Sequence, residues 1–200
     1  MSVNSVARVI PAWVMYIALL IPGAMLFWGV VQNPGPNPVE TLEHGLGEYA
    51  LKILILGMLI TPLRDFFGWN LIKFRRSIGL MAFFYVLAHL VVYLLLDKQL
   101  EWGPIIKDIT KRPYIIVGVV SFLILLPLAI TSNNLSIRKM GPVAWRKLHI
   151  WVYLAVILGA AHFVMLKRTW QVEPLVYLAI FVLLVAYHGY KALGRRRRTA

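Results

Sequence analysis

The order of apolar and polar positions divides the chain into six long apolar runs separated by short polar connections. The runs cover approximately residues 11–31, 49–63, 77–96, 114–130, 143–166 and 174–193. An α-helix needs about 20 apolar residues to cross the hydrocarbon core of a bilayer. The pattern therefore predicts an all-α, polytopic membrane helix bundle with six transmembrane helices, forming a single domain over residues 1–200.

The lengths of three apolar runs need explanation. The runs 49–63 and 114–130 are at the lower limit for a membrane span, and burial among neighbouring helices would accommodate them. The run 11–31 is too long for the apolar region of a signal peptide, and it carries Trp28 near its end without a small-residue cleavage site. We therefore expect this run to remain in the protein as the first transmembrane helix.

The composition supports a lipid environment and narrows the chemistry. Hydrophobic residues make up 60% of the chain, charged residues make up 14%, and the mean hydropathy is +0.74. These values lie far outside the usage of soluble domains. The chain has no cysteine, which excludes disulfides, cysteine-ligated iron–sulfur clusters and thiolate-ligated haem. Any bound metal must therefore be held by histidine, methionine or carboxylate side chains.

The 21 Lys and Arg residues outnumber the 8 Asp and Glu residues, and their positions predict an orientation. They lie at the ends of apolar runs rather than on a polar domain, so we interpret them as topology signals and expect no nucleic-acid binding. Most of them fall in the connections on one side of the membrane. Because Lys and Arg are enriched in cytoplasmic loops, we expect both termini to be cytoplasmic. Six acidic residues fall on the opposite side: Glu40, Glu43, Asp97, Glu101, Asp108 and Glu173.

Histidine is the residue type that carries the candidate chemistry. Of the five histidines, His44 precedes the second run, and four fall inside predicted spans: His89, His149, His162 and His188. Ionisable side chains are costly in a bilayer and usually face a bundle interior or a cofactor. A single membrane histidine is more often a helix–helix hydrogen bond or part of a proton relay. Four of them in a nearly uncharged core favour the binding of a ligand.

His89 and His162 are the candidate axial ligands of a haem iron. His89 lies close to the outer end of the third run, and His162 lies close to the outer end of the fifth. Two neutral imidazoles at similar depth on different helices are what a six-coordinate haem b needs. The sequence therefore predicts haem b between His89 and His162.

His149 is expected near the inner side of the membrane, where it would serve a second cofactor. A straight helix would place it about 20 Å from His162. The two rings would then point roughly 140° apart, so they would face different neighbours unless the helix bends near Gly159. The partner of His149 at an inner site is therefore open.

For each of the two remaining histidines the sequence allows two roles. If the same two helices held a second haem, its other ligand would be the residue as far before His89 as His149 is before His162. That residue is Arg76, which cannot ligate iron. His188 is therefore a candidate inner ligand. His188 can equally be a polar anchor at the membrane interface. His44 is expected in a solvated external loop, because the prolines between residues 34 and 38 oppose regular structure. It could instead cover the outer edge of the haem.

Three cationic side chains are further candidates for contact with a cofactor. Lys52 can snorkel towards water or pair with Glu48 one helical turn earlier, and it can also neutralise a haem propionate or hydrogen-bond a quinone. Arg75 and Arg76 are mainly topology signals, and they can also contact a propionate or the phosphate of a flavin.

Four segments carry a resemblance to a known family. They are ITPL at 60–63, RRSIGL at 75–80 followed by His89, TKRPY at 110–114, and GPVAWRKLHIWVYL at 141–154 followed by His162. Along nearly its whole length, the chain resembles the MsrQ family, which belongs to the ferric-reductase-like transmembrane group.

The resemblance implies a haem b membrane subunit of a periplasmic methionine sulfoxide reductase system in the bacterial inner membrane. Its implied catalytic partner is a molybdopterin enzyme, MsrP. By that similarity His89, His149 and His162 correspond to haem-associated histidines of the family, whereas His188 matches no motif. FMN is also associated with the family, and nothing in the sequence locates a flavin.

The sequence also indicates how such a chain would obtain electrons. It contains no GxGxxG motif, so we expect that it does not take hydride from a nicotinamide itself. We expect reducing equivalents from a quinol in the membrane or from another protein, with one haem or two as conduits and the sulfoxide chemistry in the partner. The main alternative is a small membrane transporter or proton channel whose histidines relay protons, and a third is a scaffold without a cofactor.

Overall fold

The computed structural model describes residues 2–166 and 171–199, and these residues form helices without any strand. The helices are α1 Val3–Val9, α2 Val14–Gln32, α3 Pro38–Phe67, α4 Arg75–Val92, α5 Trp102–Lys111, α6 Pro113–Ile130, α7 Asn134–His149, α8 Val152–Leu166 and α9 Val172–Thr199. A 3₁₀ turn, Ile72–Phe74, precedes α4, and a π-helical turn, Tyr93–Asp97, continues it.

Six segments of the described chain are long and apolar enough to cross a membrane, which confirms the predicted all-α, six-span bundle. They are Val14–Gln32, Pro38–Phe67, Ile72–Asp97, Pro113–Ile130, Asn134–Leu166 and Val172–Gly194. Each contains one of the six apolar runs or closely matches it. The chain is therefore a multi-pass membrane protein.

The second span is much longer than its apolar run, and the expectation of a short helix at 49–63 is wrong. The helix α3 begins at Pro38 and continues to Phe67, where Gly68 ends it in the left-handed conformation with φ of 71°. Proline is well suited to the first helical turn, where its missing N–H costs nothing. The expectation of an external loop around His44 is therefore also wrong, because His44 lies inside α3.

A short amphipathic helix, α5, lies in the connection between the third and fourth spans, where no helix was expected. Its Ile105 side chain is buried, while Trp102 and Ile106 are exposed. Exposed aromatic and aliphatic side chains on a short amphipathic helix are typical of a segment that lies in a membrane interface. This helix leads directly into α6 and so fixes where the fourth span begins.

The fifth span is interrupted, so the straight-helix geometry expected for its two histidines is wrong. Gly141 has φ of 78° and ψ of 154°, which kinks α7, and α7 ends at His149. A new helix, α8, starts at Val152 and continues through Gly159 without a break. The α-helix between His149 and His162 is therefore interrupted at residues 150–151, whereas Gly159 lies within a continuous helix.

The core of the bundle lies where α3, α4, α8 and α9 pack together. Ile60, Ala82, Val156 and Phe181 are almost completely buried there. Small residues such as Ala82 let helix backbones approach closely, which is the main source of packing between helices in lipid. The helix α6 packs along α8, and this pairing places α6 beside His162.

The helix α2 is held differently, because none of its residues is buried. The Tyr85 hydroxyl of α4 donates to the Leu19 carbonyl at 2.7 Å and accepts from the Gly23 amide at 2.7 Å. A Cβ atom at Gly23 would lie 2.7 Å from that hydroxyl, so the glycine permits the close approach. One side chain thus ties α2 to the rest of the bundle by two hydrogen bonds.

Candidate functional site

His89 on α4 and His162 on α8 face each other across the bundle, as the sequence predicts for the two ligands of one iron. Their ring centroids are 6.2 Å apart and their planes are inclined by 79°. A bond between a metal and an imidazole nitrogen is about 2.0 Å long, so two imidazoles on opposite sides of one metal have ring centres about 6 Å apart. The observed separation therefore fits two axial ligands of a single iron.

The second nitrogen of each ring is anchored to a backbone carbonyl. His89 Nδ1 donates to the Glu43 carbonyl of α3 at 2.8 Å, and His162 Nδ1 donates to the Tyr114 carbonyl of α6 at 2.7 Å. Because a carbonyl can only accept, each Nδ1 carries the proton and each Nε2 has a free lone pair. Metal-bound histidines are commonly fixed in this way, with the other N–H bonded to a carbonyl or carboxylate.

Each imidazole rests against a glycine of the neighbouring helix. A Cβ atom at Gly47 would lie 3.3 Å from His89 Nδ1, and a Cβ atom at Gly118 would lie only 2.8 Å from His162 Nδ1. A side chain at Gly118 would thus push His162 away from its carbonyl partner. The two glycines allow the rings to lie directly on α3 and α6.

A cavity of about 540 Å³ contains both imidazoles in its lining. This volume is within the range of cofactor and ligand pockets in proteins, which is roughly 300–1,000 Å³. Its walls come from α3, α4, α6 and α8 and are largely apolar, with lining side chains that include Leu51, Leu54, Val86, Leu90, Ile115 and Phe122. The cavity therefore offers an apolar enclosure around the two free Nε2 atoms, as a flat, largely apolar macrocycle requires.

One rim of this cavity carries two cations within a network of charges. Lys98 Nζ lies 2.8 Å from Asp108 Oδ2 and 2.9 Å from Asp97 Oδ2, and Arg112 Nε lies 3.5 Å from Asp108 Oδ1. Burial lowers the pKa of the Lys98 ammonium, but its hydrogen bonds to Asp108 and Asp97 outweigh burial and raise that pKa above its ordinary value. Lys98 therefore stays cationic across the physiological pH range.

His149 is the last residue of α7 and lies outside the lining of the cavity. Its ring stacks on Trp145 with a centroid distance of 3.7 Å, and its Nδ1 donates to the Trp145 carbonyl at 3.0 Å. The Nε2 atom lies 3.4 Å from Ser132 Oγ, which is a weak contact. The ring is thus held from one side, with its other nitrogen only loosely bonded.

His188 on α9 is buried, which contradicts the reading of this side chain as an anchor at the membrane interface. Its Nδ1 donates to the Leu184 carbonyl at 2.7 Å. Its Nε2 is buried and has no hydrogen-bond partner among the residues that the structure describes. The rings of Tyr153 and Tyr187 pack against it.

The cationic candidates do not meet at the cavity of His89 and His162. Lys52 contacts a separate groove between α3 and α9. Arg76 donates to Asn134 Oδ1 at 2.8 Å and so joins the beginnings of α4 and α7. Arg75 is exposed, and its charge is close enough to act on both His149 and His188.

The sequence analysis did not identify Gly118, Lys98 and Arg112 as parts of the cavity, whereas His44 lines the cavity, as the alternative to a solvated loop expects. A glycine inside an apolar run is a signal for close approach, but the run alone does not say which side chain approaches. Lys98 and Arg112 looked like connecting-loop charges because α5 was not expected between them.

The chain matches known proteins over most of its length. The family described as "Ferric reductase like transmembrane component" matches residues 46–160. A protein of Agrobacterium fabrum (strain C58) named "Protein-methionine-sulfoxide reductase heme-binding subunit MsrQ" is 48% identical over 176 residues, covering 88% of this chain and 81% of that protein.

A protein of Brucella ovis with the same name is 43% identical over 189 residues, covering 94% of this chain and 86% of that protein. The relatives are bacterial, which fits a location in the bacterial inner membrane for a chain with six apolar spans. The matched residues 46–160 include His89 and His149, and the longer matches extend over most of the chain. The chain therefore belongs to the MsrQ family of ferric-reductase-like transmembrane proteins.

Proposed function

We propose that this chain holds haem b between His89 and His162 and conducts electrons as the membrane subunit of a methionine sulfoxide reductase system. The observation that carries the proposal is the facing pair of imidazoles, 6.2 Å apart between centroids, with both Nδ1 atoms bonded to carbonyls. Haem supplies one-electron redox chemistry when it is bound. The relatives named above are called haem-binding subunits of such a reductase, which supports the same assignment.

Different residues of the chain would bind the iron, the apolar ring and the propionates of the haem. His89 and His162 offer neutral Nε2 lone pairs to the iron, and their bonds to Glu43 and Tyr114 fix that tautomer. The apolar walls exclude water. Lys98 and Arg112 at the rim are the cations that we assign to the haem propionates, because charge-assisted hydrogen bonds to carboxylates are strong.

His149 serves an inner cofactor in this proposal. The charge of Arg75 reaches His149 and His188, so an anionic group bound there would be attracted. We assign Arg75 and Arg76 to the phosphate of FMN or to a propionate of a second haem. His188 is the candidate second ligand of that haem, because its Nε2 lacks a partner among the described residues. The chain would then hold one haem or two.

Electrons enter from membrane quinol and leave to the periplasmic molybdoenzyme MsrP, which performs the sulfoxide reduction. Both termini are cytoplasmic in this scheme, so the rim with Lys98 and Arg112 faces the periplasm. This follows from the excess of Lys and Arg in the other connections. The chain itself contributes a path for electrons and no catalysis on methionine sulfoxide.

Absorption spectra of purified variants test the haem assignment. Wild-type protein is expected to have the Soret band of low-spin haem, and His89→Ala and His162→Ala are expected to lose most of it. Imidazole added to His89→Gly should restore low-spin haem, because the free ligand can occupy the vacated position. Phe84→Ala is the matched control, since it removes an exposed ring from the same helix.

Retention of a full low-spin spectrum by both alanine variants would remove His89 and His162 as ligands. A wild-type protein that purifies without haem and moves protons across vesicles would instead favour the transporter or proton channel. The same preparation therefore decides between the two classes.

A further inference from the structure

A second groove opens on the outside of the bundle, between α3 and α9. Its volume is about 430 Å³, and its lining residues are Lys52, Ile55, Glu173, Val176, Tyr177 and Ile180. All of them lie within the segments Pro38–Phe67 and Val172–Gly194, both of which are long and apolar enough to cross a membrane. Lys52, Glu173 and Val176 are exposed, so the α3–α9 groove opens to the outside of the bundle, where lipid surrounds a membrane protein.

Three polar side chains are joined at this groove. Lys52 Nζ lies 2.5 Å from Glu48 Oε1, and the Tyr177 hydroxyl donates to the same oxygen at 3.4 Å. The Lys52 side chain is 49% exposed and that of Glu48 is 34% exposed. Ionisable side chains in a membrane span are costly, and they usually mark a ligand site or a proton path. An ion pair left half open to lipid therefore calls for a polar partner from the membrane.

Two side chains connect the groove to the cavity of His89 and His162. Glu48 lines that cavity and also bonds Lys52 and Tyr177 of the groove. Phe163 lines the cavity as well, and its ring packs edge-on against Tyr177 with a centroid distance of 5.7 Å. The groove and the cavity are thus separated by two contacting pairs of side chains, Phe163 with Tyr177 and Glu48 with Lys52.

We propose that the α3–α9 groove binds the head group of a lipid-soluble quinol, the electron donor on which the proposed function rests. A quinol has a flat ring with two oxygens at opposite ends and an apolar tail. Lys52 and Tyr177 can donate to one oxygen, and the Glu48 carboxylate can accept the hydroxyl proton. Ile55, Val176 and Ile180 provide apolar walls for the ring and tail.

The charges of the groove distinguish a quinol from a phospholipid. A phosphate head group is anionic, and the two carboxylates Glu48 and Glu173 oppose it, whereas Lys52 is the one cation among the described residues that line the groove. A neutral molecule that both donates and accepts hydrogen bonds fits this arrangement better. The position facing the lipid also suits a donor that diffuses within the membrane.

Oxidation of a quinol to a quinone releases two electrons and two protons. In this proposal the two electrons would go, one at a time, to the haem that His89 and His162 would hold, which would supply the one-electron chemistry and pass each electron on to the partner. The Glu48 carboxylate accepts the two hydroxyl protons in turn and releases each to water at the end of the groove near Glu173.

Photoaffinity labelling tests the site without relying on haem. Wild-type protein in nanodiscs is illuminated with an azidoquinone, and labelled peptides are mapped. The label is expected on segments 48–55 and 173–180 and is expected to be displaced by decylubiquinol. Lys52→Met, Glu48→Gln and Tyr177→Phe should each weaken quinone binding about ten-fold, as expected for loss of one charge-assisted hydrogen bond.

Lys107→Met and Tyr190→Phe are the matched controls, because both side chains are exposed and lie outside the groove. They should bind the probe like wild type. Labelling elsewhere in the chain, or labelling unchanged in all three groove variants, would overturn the proposal. Labelling displaced by anionic phospholipid but not by decylubiquinol would also overturn it, in favour of a lipid site.

The haem spectrum separates failure of this site from failure of the proposed function. Lys52→Met and Tyr177→Phe, which lie outside the lining of the haem cavity, are expected to keep the wild-type Soret band and full reduction by dithionite, while their haem is reduced about ten-fold more slowly by decylubiquinol. A displaceable label in a wild-type protein that lacks haem would support the groove and refute the haem assignment. Haem without any label in the groove would refute the groove alone.

Discussion

At the scale of single residues, the two histidines of the cavity are held in position by the same pair of contacts. Each ring donates to the carbonyl of one residue and lies against a glycine four positions later: Glu43 and Gly47 for one, Tyr114 and Gly118 for the other. Positions i and i+4 lie above each other on one face of a helix. A glycine there leaves a notch beside the carbonyl, and the notch sets both the tautomer and the position of the ring.

Gly118→Ala tests the importance of this notch. The added methyl group would lie 2.8 Å from His162 Nδ1 and 2.9 Å from Cε1, so the ring must move and lose its carbonyl partner. We expect the bound haem to fall several-fold and the remainder to lose low-spin character, measured by absorption and electron paramagnetic resonance spectra.

Gly57→Ala is the matched control for that substitution. It lies on α3 outside the lining of the cavity, and its added Cβ would lie 3.3 Å from Ile78 Cγ2, so it crowds a contact between helices without touching a histidine. It should retain haem like wild type. Equal haem loss in both variants would mean that haem binding depends on general helix packing rather than on the position of the His162 ring.

The sequence was sufficient to pair His89 with His162, because depth in the membrane can be counted along apolar runs. It was not sufficient to predict which residues hold the two rings in place. The carbonyls of Glu43 and Tyr114 belong to other helices, and only the packing of α3 against α4 and of α6 against α8 brings them to the rings. Contacts between distant segments leave no local pattern in one sequence.

At the scale of helices, the Tyr85 side chain provides the polar contacts that attach α2 to the rest of the bundle. Because α2 has no buried residues, the two hydrogen bonds of Tyr85 are a large part of its polar attachment. Tyr85→Phe should therefore loosen α2, with a loss of about 1–3 kcal/mol in stability for removing a partly buried hydrogen-bonded hydroxyl.

Hydrogen exchange and thermal unfolding in detergent would measure the effect of Tyr85→Phe. Exchange should increase within Val14–Gln32 while the haem spectrum stays unchanged, since α2 does not line the cavity. The nearby Phe84→Ala, at an exposed position, should leave the exchange of α2 unaltered. Unchanged protection of α2 in Tyr85→Phe would show that lipid contact alone holds this helix.

The interruption between α7 and α8 separates His149 from His162 and so predicts separate effects of their substitution. His149→Ala should leave the low-spin spectrum of the outer haem intact, because His149 does not line its cavity. Reduction from the inner side by reduced FMN should slow at least several-fold, whereas reduction by decylubiquinol through the α3–α9 groove should not change. Loss of all haem in His149→Ala would mean that the chain has one cofactor site that includes this residue.

Hydropathy predicted all six spans, yet it missed the length of α3 and the existence of α5. It reports how much of a helix contacts hydrocarbon, not where the helix begins. The first turns of α3 carry Glu40, Glu43 and His44, which are polar because they project beyond the apolar run and line the cavity. Polar residues at the beginning of a long helix therefore resemble a loop in the sequence, although here they line the rim of the cavity.

At the scale of the whole molecule, the two ends of the bundle differ, because the cavity lies towards one end and most basic residues lie towards the other. The cavity of His89 and His162 lies towards the end where α3 begins, and its rim includes Glu40, Glu43 and Asp97. Most of the Lys and Arg residues lie at the other end. In the orientation proposed above, the cavity end faces the periplasm, so we expect the electron exit there, where the acidic side chains of the rim can orient a partner with a basic surface.

Electron transfer through the complete system tests this arrangement. Purified protein in nanodiscs receives decylubiquinol, and then the periplasmic molybdoenzyme and a methionine sulfoxide substrate. We expect haem to be reduced by the quinol and reoxidised only when both partner and substrate are present, because the chain has no cysteine for thiol-based sulfoxide repair and no nucleotide motif for direct use of NADPH.

Charge reversal of Glu40 to Lys should slow reoxidation more at low than at high ionic strength, since steering between exposed charges is screened by salt. Glu101→Lys, on the outer connection but outside the lining of the cavity, is the control for a general change in surface charge. Rapid haem reduction by NADPH alone, or sulfoxide turnover without the partner, would refute the scheme.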